Sequence, residues 1–196
     1  MDIKLSEAQT VRLREEFYLG ILIAAGAMIQ DLKYRKIKNR YLLICLAAVV
    51  IYRAGLPVAS PAVQASANDL KIELLRWLTD ALAGGFLPVL LLGWLFWFRM
   101  MGAGDLKLLI VLGFLFGADK SMLCIWRTML FGAVMSVGIM AANGSGYERK
   151  QHLVSYVRTY LSTGNREPYR RPESWDKSAN LHMTVPVLMA VLSLGI

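Results

Sequence analysis

The sequence predicts an all-α, polytopic membrane protein with six transmembrane helices in a single domain, residues 1–196. Hydrophobic residues make up 56% of the chain and the mean hydropathy is +0.46, which is too apolar for an ordinary soluble domain of this length. Several apolar stretches also approach the roughly 20 residues that a helix needs to cross the ~30 Å hydrocarbon core of a bilayer. We therefore expect one integral membrane domain.

The first two predicted spans and a surface helix lie in the N-terminal part of the chain. Residues 17–30 are apolar but short for a span, and the long basic side chains that follow can reach the interface and complete it. Residues 41–57 form the second span, which ends in a loop rich in Pro, Ala and Ser. Residues 68–76 mix charged residues with Leu and Ile, which predicts a short amphipathic helix on the membrane surface.

The remaining four predicted spans follow in order. They are the apolar runs 77–98, 106–117, 121–142 and 181–196. A short turn at 118–120 separates the fourth span from the fifth. Between the fifth and the sixth lies the polar segment 143–180, which contains helical spacing at 152–161 and is interpreted mainly as a solvated loop.

Basic residues are concentrated on one side of this predicted membrane protein. Fourteen Lys and Arg lie in the segments 31–40, 99–107 and 143–180, against seven on the other side. The positive-inside rule therefore places these segments in the cytoplasm and both termini outside the cell membrane. The net charge of +8 is accordingly expected to meet anionic lipid headgroups rather than nucleic acid.

Two aspartates stand where apolar runs meet this cytoplasmic side. Asp105 opens the fourth span after Gly102 and Gly104, and Asp31 closes the first. Two carboxylates at the same membrane depth can share a proton, so that one acts as base towards water and the other as acid towards a peptide carbonyl. Taken singly, Asp105 is also compatible with a helix N-cap, and Asp31 with an ion pair to a neighbouring basic residue such as Lys33 or Arg35.

Two sequence motifs resemble those of the type IV prepilin peptidases. The run Gly102-Ala103-Gly104-Asp105-Leu106-Lys107 fits their GxGDxK signature. Asp31 followed by Ile37-Lys38-Asn39 resembles their other signature, in which Ile-Pro-Asn follows the aspartate at the same interval. Lys38 replaces the usual proline, which leaves the turn less constrained. The final run, with Thr184-Val185-Pro186, resembles the proline-containing last helix of the family.

The resemblance implies an aspartyl endopeptidase that needs no metal or other cofactor. Asp31 and Asp105 would be the catalytic dyad, and Gly102 and Gly104 would let the loop bend and the substrate approach. Lys107 would either steady the charge of the dyad or contact lipid phosphates. Asn39 would either form a hydrogen bond within the Asp31 loop or be an ordinary turn residue. Which aspartate is acid and which base stays open.

The resemblance also implies the substrate, a prepilin or pseudopilin whose leader is cut at the cytoplasmic face. The cysteine-rich insertion that accompanies methylation in long members is absent, so a peptidase-only form is expected. Two other hypotheses are a non-catalytic membrane scaffold or small transporter, and a presenilin-like intramembrane protease. The second is disfavoured because Gln30, rather than Tyr, precedes Asp31. The oligomeric state is not predicted.

Three further features concern helix packing and metal binding. Asp80 and Arg127 lie inside predicted spans near the outer face, which predicts a buried ion pair between them. The pair Gly84-Gly85 predicts a close helix contact. His182 is interpreted as a solitary histidine with no metal-binding partners nearby in sequence.

Overall fold

The computed structural model is all-α. It describes residues 2–59, 67–98, 101–142, 151, 154–155, 158, 162 and 182–195, and within them no strand occurs. The helices are α1 (Asp2–Tyr34), α2 (Asn39–Ala59), α3 (Ala67–Trp97), α4 (Ala103–Ala142) and α5 (Thr184–Leu194). The all-helical prediction is therefore confirmed. Most of the predicted segment 143–180 lies outside the described residues.

Helix α4 consists of two arms that fold back on each other. Gly117 interrupts it with φ 76° and ψ −178°, a backbone conformation that favours glycine. In a straight helix, residues eight apart would be separated by about 12 Å. A Cβ added to Gly113 would instead lie 3.0 Å from Ser121 Oγ. The chain therefore reverses at Gly117, between a first arm, 103–116, and a second arm, 118–142.

Within the part of the chain that the structure describes, two helical segments are long and apolar enough to cross a membrane: Lys71–Trp97, and Ala103–Ala142 with its two arms taken together. In addition, large apolar side chains are widely exposed: Leu43, Ile51 and Trp126 are 71%, 73% and 69% exposed. Exposed apolar surface on this scale is typical of membrane contact. These features favour a membrane protein, while the count of six spans stays a prediction.

The boundaries of two helices differ from those predicted. The predicted surface helix 68–76 is not a separate element, because α3 runs without interruption from Ala67 to Trp97. The side chains of residues 71–76 in α3 are exposed, which agrees with the mixture of charged and apolar residues in this segment. Helix α1 begins at Asp2 rather than near residue 17. In both cases a polar stretch with helical propensity extends an apolar helix instead of turning away from it.

Helices α3 and α4 approach closely where neither carries a side chain. A Cβ on Gly84 would collide with the backbone carbonyl of Gly113, and a Cβ on Gly113 would collide with that of Gly84. Ser121 Oγ donates a hydrogen bond of 3.0 Å to the Gly84 carbonyl. A Cβ on Gly85 would likewise meet the ring of Phe114. The predicted close contact at Gly84-Gly85 is therefore confirmed.

A charged network joins four helices beside the reversal; its members are Glu16, Arg53, Asp80 and Lys120. Arg53 Nη2 donates to Asp80 Oδ2 at 2.9 Å, and Arg53 Nη1 lies 3.6 Å from Glu16 Oε1. Lys120 Nζ lies 3.0 Å from Glu16 Oε2. Asp80 Oδ1 also accepts a hydrogen bond of 3.0 Å from the backbone N–H of Ala118. Asp80 therefore satisfies the first free amide of the second arm, as a capping residue does.

The predicted Asp80–Arg127 ion pair is wrong. Asp80 pairs with Arg53 of α2, whereas Arg127 donates hydrogen bonds to the backbone carbonyl of Ser193 and, at 3.1 Å, to Ser193 Oγ. Arg127 thus satisfies the carboxyl end of α5, where carbonyl groups lack helical partners. Its charge is accommodated by a helix end instead of a carboxylate.

We expect Gly113→Ala to lower the stability of the protein because the new methyl group collides with backbone atoms of α3 that cannot rotate away. The cost should be about 1–3 kcal/mol, as for other overpacked sites. Gly138→Ala is the matched control in the same helix, since a Cβ there meets nothing within 4 Å. Thermal unfolding in detergent should show a lower Tm for Gly113→Ala alone; equal Tm values would contradict the close contact.

Candidate active site

The two predicted catalytic aspartates lie at the same end of the molecule, opposite the charged network. Asp31 lies in the last turn of α1 and Asp105 in the first turn of α4. Asp105 is within electrostatic range of Asp31 and also of His182. The side chain of Asp31 is 15% exposed. The fold therefore brings together two acidic side chains that are 74 positions apart in sequence.

The glycine-rich loop is shaped around the carboxylate of Asp105. Helix α4 begins at Ala103, so Asp105 lies inside the first turn and is not its N-cap. The Gly102 carbonyl accepts the Leu106 amide at 3.3 Å. A Cβ on Gly102 would lie 2.8 Å from Asp105 Oδ2, whereas a Cβ on Gly104 would reach Ile37 at 3.4 Å, close to ordinary contact. Gly102 therefore leaves space for the carboxylate, while Gly104 packs on the loop that follows Asp31.

The loop after Asp31 is held by hydrogen bonds to its own helix. The Arg35 amide donates to the Asp31 carbonyl at 2.7 Å, and Arg35 then takes φ 52° as the chain leaves α1. The Lys38 amide donates to Gln30 Oε1 at 3.2 Å. A proline at position 38 could not make this bond because it has no N–H. Lys38 therefore replaces the constraint of a proline ring by a hydrogen bond.

Lys107 and Asn39, the two residues predicted to support the motifs, contact each other. Lys107 Nζ donates a hydrogen bond of 3.1 Å to Asn39 Oδ1. The partner of Asn39 is therefore on α4, not within the Asp31 loop. This bond joins the start of α2 to the first arm of α4 and so links the two motifs to each other.

The start of α5 contributes two residues to the site that sequence reasoning missed. His182 Nδ1 lies 3.1 Å from Asp31 Oδ2, and Thr184 Oγ1 donates to the same oxygen at 2.9 Å. The prediction of a solitary His182 is therefore wrong. Among the described residues, Asp31 pairs across the bundle instead of with Lys33 or Arg35. One feature of the sequence could have indicated this contact: two polar residues, His182 and Thr184, stand near the start of an otherwise apolar final run.

An apolar cavity of about 310 Å³ opens next to the Lys107–Asn39 bond. It lies between α2 and the first arm of α4, and the residues lining it are Asn39, Leu42, Leu43, Leu46, Lys107, Ile110 and Val111. The cavity therefore combines two polar side chains, Asn39 and Lys107, with an otherwise aliphatic wall.

The described residues include no group of three or more His, Cys, Asp or Glu side chains that could hold a metal ion. What the site does contain is a pair of carboxylates, a histidine and a hydroxyl. Two carboxylates close together cannot both ionise cheaply, so the pair can hold one proton and offer both an acid and a base. The arrangement is suited to adding water across a polar bond by proton transfer.

Comparison with known protein families gives one match. The model of the type IV leader peptidase family matches residues 17–137. This range includes Asp31, Asp105 and the glycines between them, and it ends before His182 and Thr184. No curated protein and no solved structure matches the chain significantly.

We expect the Lys107–Asn39 bond to appear as a coupling between the two residues. Asn39→Ala and Lys107→Met each remove the bond. The double variant should therefore be no less stable than the less stable of the two single variants. The coupling energy should be about 0.5–1 kcal/mol, because both side chains are exposed to solvent. Thermal unfolding of all four proteins measures it, and strictly additive effects would show that the bond contributes nothing.

Proposed function

The chain belongs to the type IV leader peptidase family, and we propose that it is a membrane aspartyl endopeptidase that removes the leader from prepilin or pseudopilin precursors. Asp31 and Asp105 would be its catalytic dyad. With no cysteine-rich insertion in the sequence, we assign it peptidase activity alone. The observation that supports this proposal best is that both aspartates face one site, within the range that the family model covers.

The dyad accounts for peptide hydrolysis without a further reactive group. One carboxylate takes a proton from water while the neutral carboxyl group protonates the scissile carbonyl. The attacking oxygen adds to the carbonyl carbon, and proton return to the amide nitrogen releases the two products. The partial burial of both side chains strengthens these interactions because less water competes for them.

The proposed topology brings the substrate to the site from the membrane. We place six spans in the bilayer, with both termini outside and the dyad at the cytoplasmic face. A prepilin has a hydrophobic stem after its leader, and this stem would remain in the bilayer while the leader reaches the dyad. The exposed basic residues Lys33, Lys36, Lys38 and Arg40 next to Asp31 would meet anionic headgroups on that face.

We expect Asp31→Asn and Asp105→Asn each to abolish leader removal while leaving the protein folded. An amide can neither accept the proton from water nor donate one to the carbonyl, so the rate should fall at least a thousandfold. Asp119→Asn is the matched control, because Asp119 is exposed beside the reversal, at the opposite end of the molecule.

The measurement is co-expression with a candidate prepilin, followed by a gel shift and sequencing of the mature N-terminus. Cleavage by Asp119→Asn but by neither dyad variant is the expected result. Cleavage that persists in either dyad variant would remove the aspartyl mechanism.

The two motif glycines should differ in their importance. Gly102→Ala places a methyl group 2.8 Å from Asp105 Oδ2 and must displace the carboxylate, whereas Gly104→Ala adds only a contact of 3.4 Å with Ile37. We expect Gly102→Ala to lower kcat about tenfold or more without changing Tm, since misplacing a reacting group is costly. Gly104→Ala should retain most activity in the same assay; equal losses in the two variants would contradict this geometry.

A further inference from the structure

The geometry around Asp31 is asymmetric with respect to its two carboxylate oxygens. The hydroxyl of Thr184 donates to Oδ2 at 2.9 Å, and His182 Nδ1 lies 3.1 Å from the same atom. Thr184 is fully buried, and the side chain of His182 is 26% exposed. Both residues come from the start of α5, outside the range matched by the family model.

The hydrogen bond from the Thr184 hydroxyl bears on the protonation state of Asp31. When Asp31 is ionised, Oδ2 accepts from the Thr184 hydroxyl and, with the His182 tautomer that carries its proton on Nδ1, from that N–H as well. Both contacts are therefore satisfied as donors to one oxygen in the carboxylate form of Asp31. Hydrogen bonds donated to a carboxylate favour its charged form.

Asp105 has the opposite environment. It is largely buried, and it faces the like charge of Asp31 and, to a smaller extent, the imidazole of His182. The nearest cation on its own helix, Lys107, is bonded to Asn39. Two lysines that follow Asp31 in sequence lie over the ring of Tyr34: Lys33, at the end of α1, and Lys38, in the loop after it. The proton shared by the two aspartates is therefore best placed on Asp105.

We propose that His182 and Thr184 are positioning residues that hold Asp31 as the carboxylate, so that Asp31 is the base and Asp105 the acid; this inference rests on the proposed function. Water loses a proton to Asp31 Oδ1, and its oxygen bonds to the scissile carbonyl carbon while Asp105 protonates the carbonyl oxygen. When the C–N bond breaks, the proton on Asp31 passes to the leaving amine. The new carboxyl group forms as the added hydroxyl returns a proton to Asp105, which restores both residues.

Thr184→Val and Thr184→Ser test this directly. Valine keeps the shape of threonine but has no hydroxyl, whereas serine keeps the hydroxyl. We expect Thr184→Val to lower kcat roughly tenfold to a hundredfold at unchanged KM, the range for losing a hydrogen bond to a charged group. The acidic limb of its kcat/KM profile should move to higher pH, because the charged form of Asp31 then has one fewer hydrogen-bond donor. Thr184→Ser should restore both values.

Thr128→Val is the control for loss of a buried hydroxyl, because Thr128 is equally buried on the second arm of α4. It should change neither kcat nor the pH profile. His182→Ala provides a second variant at a partly exposed position, and it should move the acidic limb in the same direction. Tm values of all variants separate misfolding from a catalytic effect.

The possible outcomes distinguish this inference from the proposed function. If Asp31→Asn is inactive but Thr184→Val and His182→Ala keep the wild-type kcat and acidic limb, the positioning role is overturned and the peptidase stands. A lower Tm with an unchanged pH profile also overturns it, since that is the result of a purely structural bond. If Asp31→Asn still cleaves, the proposed function fails and the positioning role fails with it.

Discussion

The reversal of the chain at Gly117 is the constraint on which the arrangement of the helices depends. The positive φ of Gly117 lets the second arm of α4 return beside the first, and the absence of side chains at Gly84 and Gly113 lets α3 pack against both. Asp80 accepts the first amide of the returning arm, and Arg53 neutralises Asp80. The reversal is thus stabilised by groups from two other helices, a buried Arg53 side chain and a half-exposed Asp80 carboxylate.

The active-site end is assembled from three segments that are remote in sequence. Asp31 lies in the last turn of α1 and Asp105 in the first turn of α4, while Thr184 begins α5 and His182 lies two residues before it. Helix α5 runs antiparallel to α1, since Thr184 lies at Asp31 while Gly195, at the other end, packs against Phe17. The site therefore exists only when α1, α4 and α5 are packed together, and its geometry is sensitive to substitutions throughout the core.

The sequence alone was sufficient for those features that depend on short segments. All-helical structure follows from apolar runs, and the pairing of Asp31 with Asp105 follows from two local motifs. The sequence was insufficient where the rotation of a helix about its axis decides the partner. Asp80 and Arg127 lie at similar predicted depths, yet Asp80 faces Arg53 and Arg127 faces the end of α5. The contact of His182 with Asp31 was not predicted either, because 151 positions separate the two residues in sequence.

The two ends of the molecule treat buried charge in different ways, and this difference bears on function. The charged network contains two carboxylates and two cations, so its charges balance, as expected of groups that only stabilise a fold. At the opposite end, two carboxylates lie within electrostatic range of each other, one of them contacts His182, and Lys107 is bonded to an amide. A site that leaves two acids to share a proton is costly for stability. Such a cost is expected where the shared proton takes part in the reaction. In the proposed mechanism, Thr184 and His182 give the two acids unequal surroundings, and this difference decides which of them carries the proton.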